Sequence, residues 1–124
     1  MTAPASGFRV LVIEDEAMVA MLLEAMLEDL GHTIAGSAAK IEDAIRLIAE
    51  TQADAAILDV NLHGKETYPL AEALKARGIP FVFATGYDSS GLREEWRGTK
   101  VLQKPFQVKD LSEAVSSLRA VKTA

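Results

Sequence analysis

One carboxylate, Asp59, stands at the end of a short apolar run. The run Ala55–Leu58 carries no polar side chain, and Thr51 and Gln52 ahead of it are typical of a helix end and a turn. A short apolar run bounded in this way predicts a strand that is buried on both faces, as in a parallel sheet. Ligands of open α/β sheets bind just beyond the carboxyl ends of the strands. Asp59 is therefore a candidate site residue; the alternative is a solvated aspartate that opens a loop.

Other polar side chains follow the remaining predicted strands at the same point. Glu14 and Asp15 follow the first strand, Thr85 follows the fourth and Lys104 follows the fifth. Because the carboxyl ends of parallel strands meet at one edge of a sheet, we expect these groups to gather around Asp59. Each pair of carboxylates at ~4 Å costs roughly 4 kcal/mol at an effective dielectric of about 20. Lys104 alone cannot neutralise three carboxylates, so the pattern predicts a bound divalent cation.

Magnesium fits this set of groups, since Mg²⁺ binds one or two carboxylates and a carbonyl and retains several waters. We predict that Asp15 and Asp59 bind the ion directly and that the backbone carbonyl of Asn61 completes the protein ligands. Glu14 is predicted to act through a coordinated water. Mn²⁺ is the alternative ion, and a purely structural role is the alternative for each acid taken singly.

A metal ion beside a carboxylate, a lysine and a hydroxyl favours phosphoryl transfer over hydrolysis at carbon. In phosphoryl transfer the protein mostly positions groups and neutralises the charge on the phosphoryl oxygens. Asp59 is then the nucleophile and forms an aspartyl phosphate. The metal ion and Lys104 supply positive charge, while Thr85 and backbone N–H groups hold the third oxygen. Taken singly, Thr85 is equally well explained as a loop cap and Lys104 as a solvated turn residue.

The elements that position these residues alternate along the chain. Strands are predicted at 8–13, 33–37, 55–58, 81–84 and 100–103, and helices at 17–30, 40–50, 66–77 and 108–121. Between 88 and 98 there is room for only a short or irregular fourth helix. Strands that alternate with helices over short connections predict parallel strands with right-handed crossovers. The predicted fold is α/β and flavodoxin-like: a doubly wound, five-stranded parallel sheet of order 2-1-3-4-5 with five helices.

Composition limits the remaining possibilities. The 124 residues predict one domain, at 8–121, with a flexible tail at 1–7 and a short tail at 122–124. A net charge of −5 argues against a broad surface for nucleic acid or anionic membrane, and the absence of cysteine excludes disulfides and thiolate sites. No apolar stretch is long enough to span a bilayer, and the first residues do not resemble a signal peptide. We therefore expect a cytoplasmic protein.

With these residues in place, the sequence resembles the receiver domains of two-component response regulators over 8–121. The resemblance rests on the following residues: Glu14, Asp15, Asp59, Thr85, Lys104, Pro105 and Phe106. It implies that Asp59 accepts a phosphoryl group from a histidine kinase or a histidine phosphotransfer protein and that Mg²⁺ is required. It also implies a cis peptide bond between Lys104 and Pro105, an isomer that proline makes accessible.

The segment Pro80–Tyr87 (PFVFATGY) narrows the resemblance. It is similar to the subfamily named for its Phe-Ala-Thr-Gly motif, which is common among single-domain regulators of alphaproteobacteria. Ordinary receivers carry a switching Tyr or Phe three residues before the lysine, where this sequence has Val101. Thr85 and Lys104 are only 19 residues apart, which agrees with a short fourth helix. Tyr87 is expected to replace the missing aromatic; the alternative is a loop residue packed on the sheet edge.

The first helix contains more apolar residues than one inward-facing stripe needs. The residues assigned to the core are Met18, Leu23, Met26, Leu27 and Leu30. Val19, Met21 and Leu22 cannot all point inward beside them. We expect this surplus, represented by Val19 and Leu22, to form a docking patch for the helices of the phosphodonor. The alternative is that small and flexible apolar residues are tolerated on the surface.

The function predicted from these features is that of a stand-alone receiver in a phosphorelay, which signals by protein contact and is not a metabolic enzyme. A Mg²⁺-dependent phosphatase with an aspartyl nucleophile is one alternative, but that type needs a second Asp where Asn61 stands. A flavin-binding module is another, although Glu14, Asp15 and Glu16 would repel its phosphate. A receiver-like binding module that works without phosphate stays open, because Val101 breaks the usual switch.

Overall fold

The architecture is a parallel sheet between two layers of helices. The computed structural model describes residues 7–86 and 91–123. In chain order the elements are β1 (Arg9–Ile13), α1 (Ala17–Asp29), β2 (Thr33–Ala38), α2 (Ile41–Glu50), β3 (Ala55–Asp59), β4 (Asn61–Leu62), β5 (Lys65–Glu66), α3 (Tyr68–Ala76), β6 (Phe81–Thr85), β7 (Val101–Gln103) and α4 (Val108–Thr123). A 3₁₀ turn covers Glu94–Trp96.

The main sheet has five parallel strands in the order β2-β1-β3-β6-β7. Counted along this sheet alone, that is the predicted order 2-1-3-4-5, so the predicted fold class is confirmed. Every residue of β3 is buried, because β1 and β6 pair with its two sides and helices cover both faces. The apolar composition of Ala55–Leu58 is the direct consequence of this central position.

Alternate strand residues point to opposite faces and build two separate cores. One core lies under α2 and α3 and contains Leu11, Ile13, Ile48, Leu58, Leu70, Leu74 and Phe83. The other lies under α1 and α4 and contains Val10, Val12, Leu23, Leu27, Ile57, Val82, Leu111, Val115 and Leu118. The two cores hold the sheet rigidly, so the carboxyl ends of β1, β3 and β6 lie at one fixed edge.

The loop after β3 differs from the prediction. Residues 61–66 form a two-stranded antiparallel hairpin, β4–β5, and α3 begins at Tyr68, two residues after the predicted start at Glu66. His63 and Gly64 both have positive φ, 50° and 83°, which is what a tight two-residue hairpin loop requires. The Asn61 side chain closes the turn, since its Oδ1 accepts a hydrogen bond from Gly64 N at 2.8 Å. Strands of two residues are too short to show a periodic pattern, so the sequence did not predict the hairpin.

The outward face of α1 was partly misassigned. Leu23 and Leu27 are fully buried as predicted, but Met18, assigned to the core, is 82% exposed. Met21 and Leu22 are also exposed, whereas Val19 is half-buried. Met18 lies one turn before Leu22 and joins its stripe, because α1 is rotated so that Ala20 and Leu23 face the sheet.

The helix ends largely follow the prediction. Gly31 and Gly78, at φ 95° and 70°, follow α1 and α3 and adopt the left-handed conformation that ends a helix. The helix α4 continues to Thr123, two residues beyond the predicted end at 121. The predicted tail at 1–7 falls, apart from Gly7, outside the described residues. No helix in the described parts of the chain is long and apolar enough to cross a bilayer.

Candidate functional site

Three carboxylates meet at the carboxyl edge of the sheet. Glu14 and Asp15 directly follow β1, and Asp59 is the last residue of the neighbouring strand β3. One oxygen from each side chain lies within 4.8 Å of the others. Glu14 and Asp59 are buried, and Asp15 is half-buried. The structure therefore brings together the acids that the sequence predicted to converge.

Lys104 enters the same pocket from the end of β7. Its Nζ lies 2.7 Å from Glu14 Oε1 and 3.1 Å from Asp59 Oδ2. Its backbone N donates to the Thr85 carbonyl at 2.7 Å, which ties the start of this loop to the end of β6. The bond between Lys104 and Pro105 is cis, as the resemblance implied. One ammonium thus bridges two of the three carboxylates.

The protonation of Asp59 reflects this crowding. Burial, followed by the charge of Glu14, raises the pKa of Asp59 from 3.8 to about 7, and the neighbouring Lys104 opposes this rise. Burial alone would lower the pKa of Lys104, but its hydrogen bond to Glu14 and the charge of Asp59 raise it. The ammonium therefore stays charged, yet it leaves an excess of negative charge that a further cation would neutralise.

Asp15 is held by the β4–β5 hairpin. Its Oδ2 accepts a hydrogen bond from the backbone N–H of His63 at 2.9 Å. Burial would raise the pKa of Asp15, but this hydrogen bond and one with Glu14 hold the pKa below its ordinary value. The His63 side chain is 56% exposed, as expected of a loop histidine. The contact of its backbone N–H with the site was missed, because it depends on the unpredicted hairpin.

Glu14 and Asn61 are already engaged by the protein. Besides Lys104, Glu14 accepts a hydrogen bond through Oε2 from Glu16 N at 3.0 Å. Asn61 N donates to Asp59 Oδ1 at 3.3 Å, and the Asn61 side chain belongs to the hairpin turn. The side-chain oxygen of Asn61 is thus used by the hairpin turn, and the oxygen predicted as a ligand is its backbone carbonyl.

Two of the other predicted positions can be placed. Thr85 is buried at the end of β6, one residue beyond the pair formed by Asp59 and Ala84. Val101 is half-buried and pairs with Phe83 across β6 and β7. Tyr87, expected to act as the replacement aromatic, lies outside the described residues.

Sequence reasoning missed Thr67, the residue before α3. Its side chain is fully buried, and its Oγ1 donates a hydrogen bond to the backbone carbonyl of Asp59. A threonine directly before a helix normally indicates an N-cap, but the Thr67 side chain makes no cap hydrogen bond here. The predicted helix began at Glu66 and included Thr67, so neither the position of Thr67 before α3 nor its bond to Asp59 was predicted.

An aromatic cluster adjoining Thr67 was also missed. Tyr68 stacks on Trp96 at 6.3 Å between ring centroids and meets the edge of Phe83 at 5.8 Å. The Tyr68 hydroxyl accepts a hydrogen bond from Arg93 N at 3.0 Å, and the Arg93 guanidinium lies 4.8 Å from the Tyr68 ring centroid. Trp96 is buried, as expected for a residue that covers the short fourth helical segment.

The chemistry of the acidic pocket fits a hard divalent cation. The donor atoms are carboxylate oxygens on adjacent strand ends, and Mg²⁺ and Mn²⁺ both prefer oxygen ligands. The three acids formally carry three negative charges. Protonation of one carboxyl and the charge of Lys104 offset two of them, so one negative charge is left. Among the described residues this is the cluster whose geometry suits an ion.

Comparison with known proteins gives consistent matches. The family model described as the response regulator receiver domain matches residues 10–116. The solution structure of SdrG from Sphingomonas melonis Fr1 is 42% identical, with a TM-score of 0.82, and the match covers 96% of this chain and 99% of that chain. The receiver domain of PhyR from Erythrobacter litoralis is 30% identical, with a TM-score of 0.82, over 92% of this chain and 91% of that chain.

The curated relatives are longer than this chain. The phyllosphere-induced regulator PhyR of Methylorubrum extorquens is 32% identical over 111 residues, which are 86% of this chain and 42% of that protein. The transcriptional regulatory protein PdtaR of Mycobacterium tuberculosis is also 32% identical over 111 residues, 54% of its own length. The chain thus spans about half the length of the curated relatives that it matches.

Proposed function

The chain belongs to the response regulator receiver domain family, and from this premise we propose that Asp59 accepts a phosphoryl group from a histidine kinase or a histidine phosphotransfer protein. The main support is one observation: the Asp59 carboxylate ends the central strand, and the ammonium of Lys104 bridges it to the buried Glu14. The family consists of signalling proteins rather than enzymes, so the expected product is a phosphorylated state that other proteins recognise.

The proposed step is an in-line displacement at phosphorus. An oxygen of the ionised Asp59 carboxylate forms the new P–O bond while the P–N bond of the phosphohistidine breaks. The electron pair of that bond stays on the imidazole nitrogen of the donor. Lys104, at 3.1 Å from Asp59 Oδ2, is placed to neutralise a phosphoryl oxygen, and we assign another oxygen to the Thr85 hydroxyl.

We assign the cation, Mg²⁺ or Mn²⁺, to Asp15, Asp59 and the Asn61 carbonyl. When bound, it would neutralise charge on the attacking carboxylate and on the phosphoryl group. Asp15 suits direct ligation because its pKa is held low and it stays ionised. Glu14 suits an indirect role through water, since one of its oxygens meets Lys104 and the other meets Glu16 N.

We assign the docking of the phosphodonor to the outward face of α1. Met18, Met21 and Leu22, which we call the α1 apolar patch, are each more than half exposed and lie on one stripe of the helix. The patch starts two residues after the Glu14–Asp15–Glu16 turn, so a helix packed on it would lie beside the pocket. Val19, predicted for the same role, is half-buried and lies at the margin of the patch.

We further propose that residues 8–121 act as one receiver unit in the cytoplasm, without nucleic acid or membrane as a direct partner. The downstream partner is a protein that distinguishes the phosphorylated form. Tyr87 remains our candidate for the aromatic that follows the state of Thr85, since Val101 cannot play that part.

The decisive experiment is incubation with acetyl phosphate and Mg²⁺, followed by intact mass measurement. The parent chain is expected to gain the mass of one phosphoryl group, and the Asp59→Asn variant is expected to gain none. Chelation of the metal should abolish the gain. An unmodified parent with Mg²⁺ and with Mn²⁺, or an adduct that persists in Asp59→Asn, would contradict the proposal; the first result would favour a module that works without phosphate.

A further inference from the structure

Thr67 is a buried polar residue that the proposed reaction leaves unexplained. Among the described residues the buried polar or charged ones are Glu14, Asp59, Thr67 and Thr85. Three of them already belong to the acidic pocket or to its rim. Thr67 is wholly inaccessible to solvent and lies between β5 and α3, eight residues after Asp59.

Thr67 contacts the two carbonyls at which the chain leaves the sheet. Its Oγ1 donates to the carbonyl of Asp59, and its backbone N donates to the carbonyl of Val60 at 2.9 Å. On the side of β6, Val60 N donates to the Ala84 carbonyl at 3.2 Å. The backbone that directly follows the Asp59 side chain is therefore held from two directions, by Thr67 and by β6.

The same residue starts α3. The Thr67 carbonyl accepts hydrogen bonds from Leu70 N and Ala71 N at 2.9 and 3.1 Å. Its hydroxyl makes no cap bond with the helix and turns to β3 instead. Helix formation alone would be served by a hydroxyl directed at the free N–H groups of the first turn, so the observed partner points to a different use.

The β4–β5 hairpin begins and ends at this contact. Residues 61–66 form the hairpin and connect Val60 to Thr67. Within it, the backbone N–H groups of Asn61 and His63 donate to the carboxylates of Asp59 and Asp15, respectively. A shift of the Asp59 backbone would therefore move its carboxylate relative to Lys104 and would also move the hairpin against the acidic pocket.

We propose that Thr67 is a positioning residue for phosphoryl transfer: its hydroxyl holds the backbone of Asp59 so that the carboxylate stays aligned with Lys104 and the metal ligands. This inference rests on the proposed function of Asp59 and extends it to a residue outside the reacting groups. Reaction rates are sensitive to such alignment, because a misplacement of about 1 Å can cost on the order of 10²-fold.

The test separates the effect of the Thr67 hydroxyl from the effect of its methyl group. Thr67→Val keeps the shape and removes the donor, and Thr67→Ser keeps the donor. Thr33→Val is the matched control, since Thr33 Oγ1 donates to the Phe8 carbonyl at 3.5 Å at the opposite edge of the sheet. With acetyl phosphate and saturating Mg²⁺, Thr67→Val should be phosphorylated about 10-fold more slowly or worse, while Thr67→Ser and Thr33→Val stay within a few-fold of the parent.

A second readout separates positioning from general loss of stability. The ¹³C shift of the Asp59 carboxyl, titrated without metal or phosphate, should give an altered pKa in Thr67→Val and an unaltered one in Ile48→Val, which loosens the core under α2. Equal rates in Thr67→Val and the parent, or equal slowing in Thr67→Ser, would overturn the inference. If Thr67→Val does not fold, Thr67→Ala replaces it, and equal rates for Ala and Ser would overturn it likewise.

Failure of the two proposals can be told apart. If the parent itself gains no phosphoryl group, the proposed function fails, and the ¹³C titration still reports on the Thr67 contact. If the parent is phosphorylated and Thr67→Val keeps pace with it, only the inference about Thr67 fails.

Discussion

At the scale of single residues, the central feature is a buried carboxylate, our proposed nucleophile, that the folded chain holds at an energetic cost. Asp59 is buried beside Glu14, and the two effects together raise its pKa to about 7 although Lys104 is 3.1 Å away. A carboxylate in this setting is stabilised by a further positive partner such as a metal ion. Without such a partner, the buried charge of Asp59 lowers the stability of the folded state.

The first prediction follows from the sign of this shift. The folded-state pKa of Asp59 is raised above 3.8, so its contribution to stability is fully present below that value and is lost as the pH rises through about 7. Without metal, Asp59→Asn should therefore be more stable than the parent at about pH 8, by about 1–3 kcal/mol. Urea unfolding in the presence of a chelator, at about pH 8 and at about pH 5, measures the difference.

The comparison contains its own control, because the other titrating groups are common to both proteins. The advantage of Asp59→Asn should shrink toward acid pH and should reverse when Mg²⁺ is added. A parent as stable as the variant at about pH 8 would mean that Lys104 fully compensates the buried charge, contrary to the shift described above.

At the scale of elements, α1 has two apolar faces, one buried against the sheet and one exposed. Ala20, Leu23 and Leu27 pack on the sheet beside α4, while Met18, Met21 and Leu22 face away from it. The apolar residues of both stripes follow helical spacing, so the sequence pattern predicted the helix and the surplus. It did not decide to which stripe Met18 belongs, because that depends on how the helix is rotated on the sheet.

The second prediction concerns the α1 apolar patch. Leu22→Glu places a charge on the proposed docking face, so phosphorylation by a histidine donor that phosphorylates the parent should slow about tenfold or more, which corresponds to about 1.4 kcal/mol. Phosphorylation by acetyl phosphate should be unchanged, since that donor needs no helix to dock. Rates with the two donors, measured on the same variant, decide between the alternatives.

Ile45 offers the matched control, since it is a 49% exposed apolar residue on α2, on the other face of the sheet. Ile45→Glu should leave both rates unchanged. Equal slowing with both donors for Leu22→Glu would instead indicate a disturbed pocket and would remove the case for docking at this face.

At the scale of the whole molecule, the fold and the meeting of the acids were predictable for the same reason. Parallel strands joined by right-handed crossovers must end at one edge of the sheet. The order of the strands was therefore enough to predict that four residues meet at this edge: Glu14, Asp15, Asp59 and Lys104. Contacts that depend on the exit path of the chain were not predictable. The bond from Thr67 to Asp59 required the hairpin at 61–66, which leaves almost no periodic signal in the sequence.

The third prediction uses the whole fold as the sensor. A ligand that binds only the folded chain stabilises it, by about 1 kcal/mol or more once its concentration is several times its Kd. Millimolar Mg²⁺ should therefore raise the Tm of the parent by about 4 °C, and should raise that of Asp15→Asn far less. Differential scanning calorimetry at constant ionic strength measures both shifts.

Asp29→Asn is the control for this prediction, because it removes an exposed acid at the far end of α1 without touching the pocket. It should respond to Mg²⁺ as the parent does. An equal response in Asp15→Asn would mean that the ion binds elsewhere, and the assignment of Asp15 as a direct ligand would fall.

The stacking of Tyr68 on the single tryptophan gives the molecule an optical reporter of its own. Trp96 lies 6.3 Å from Tyr68, centroid to centroid, and Tyr68 follows Thr67, whose hydroxyl bonds the backbone of Asp59. One indole fluorophore is thus separated from the Asp59 backbone by two side chains. Emission intensity and lifetime can then follow events at Asp59 in unlabelled protein, in real time and in whatever buffer the signalling partners require.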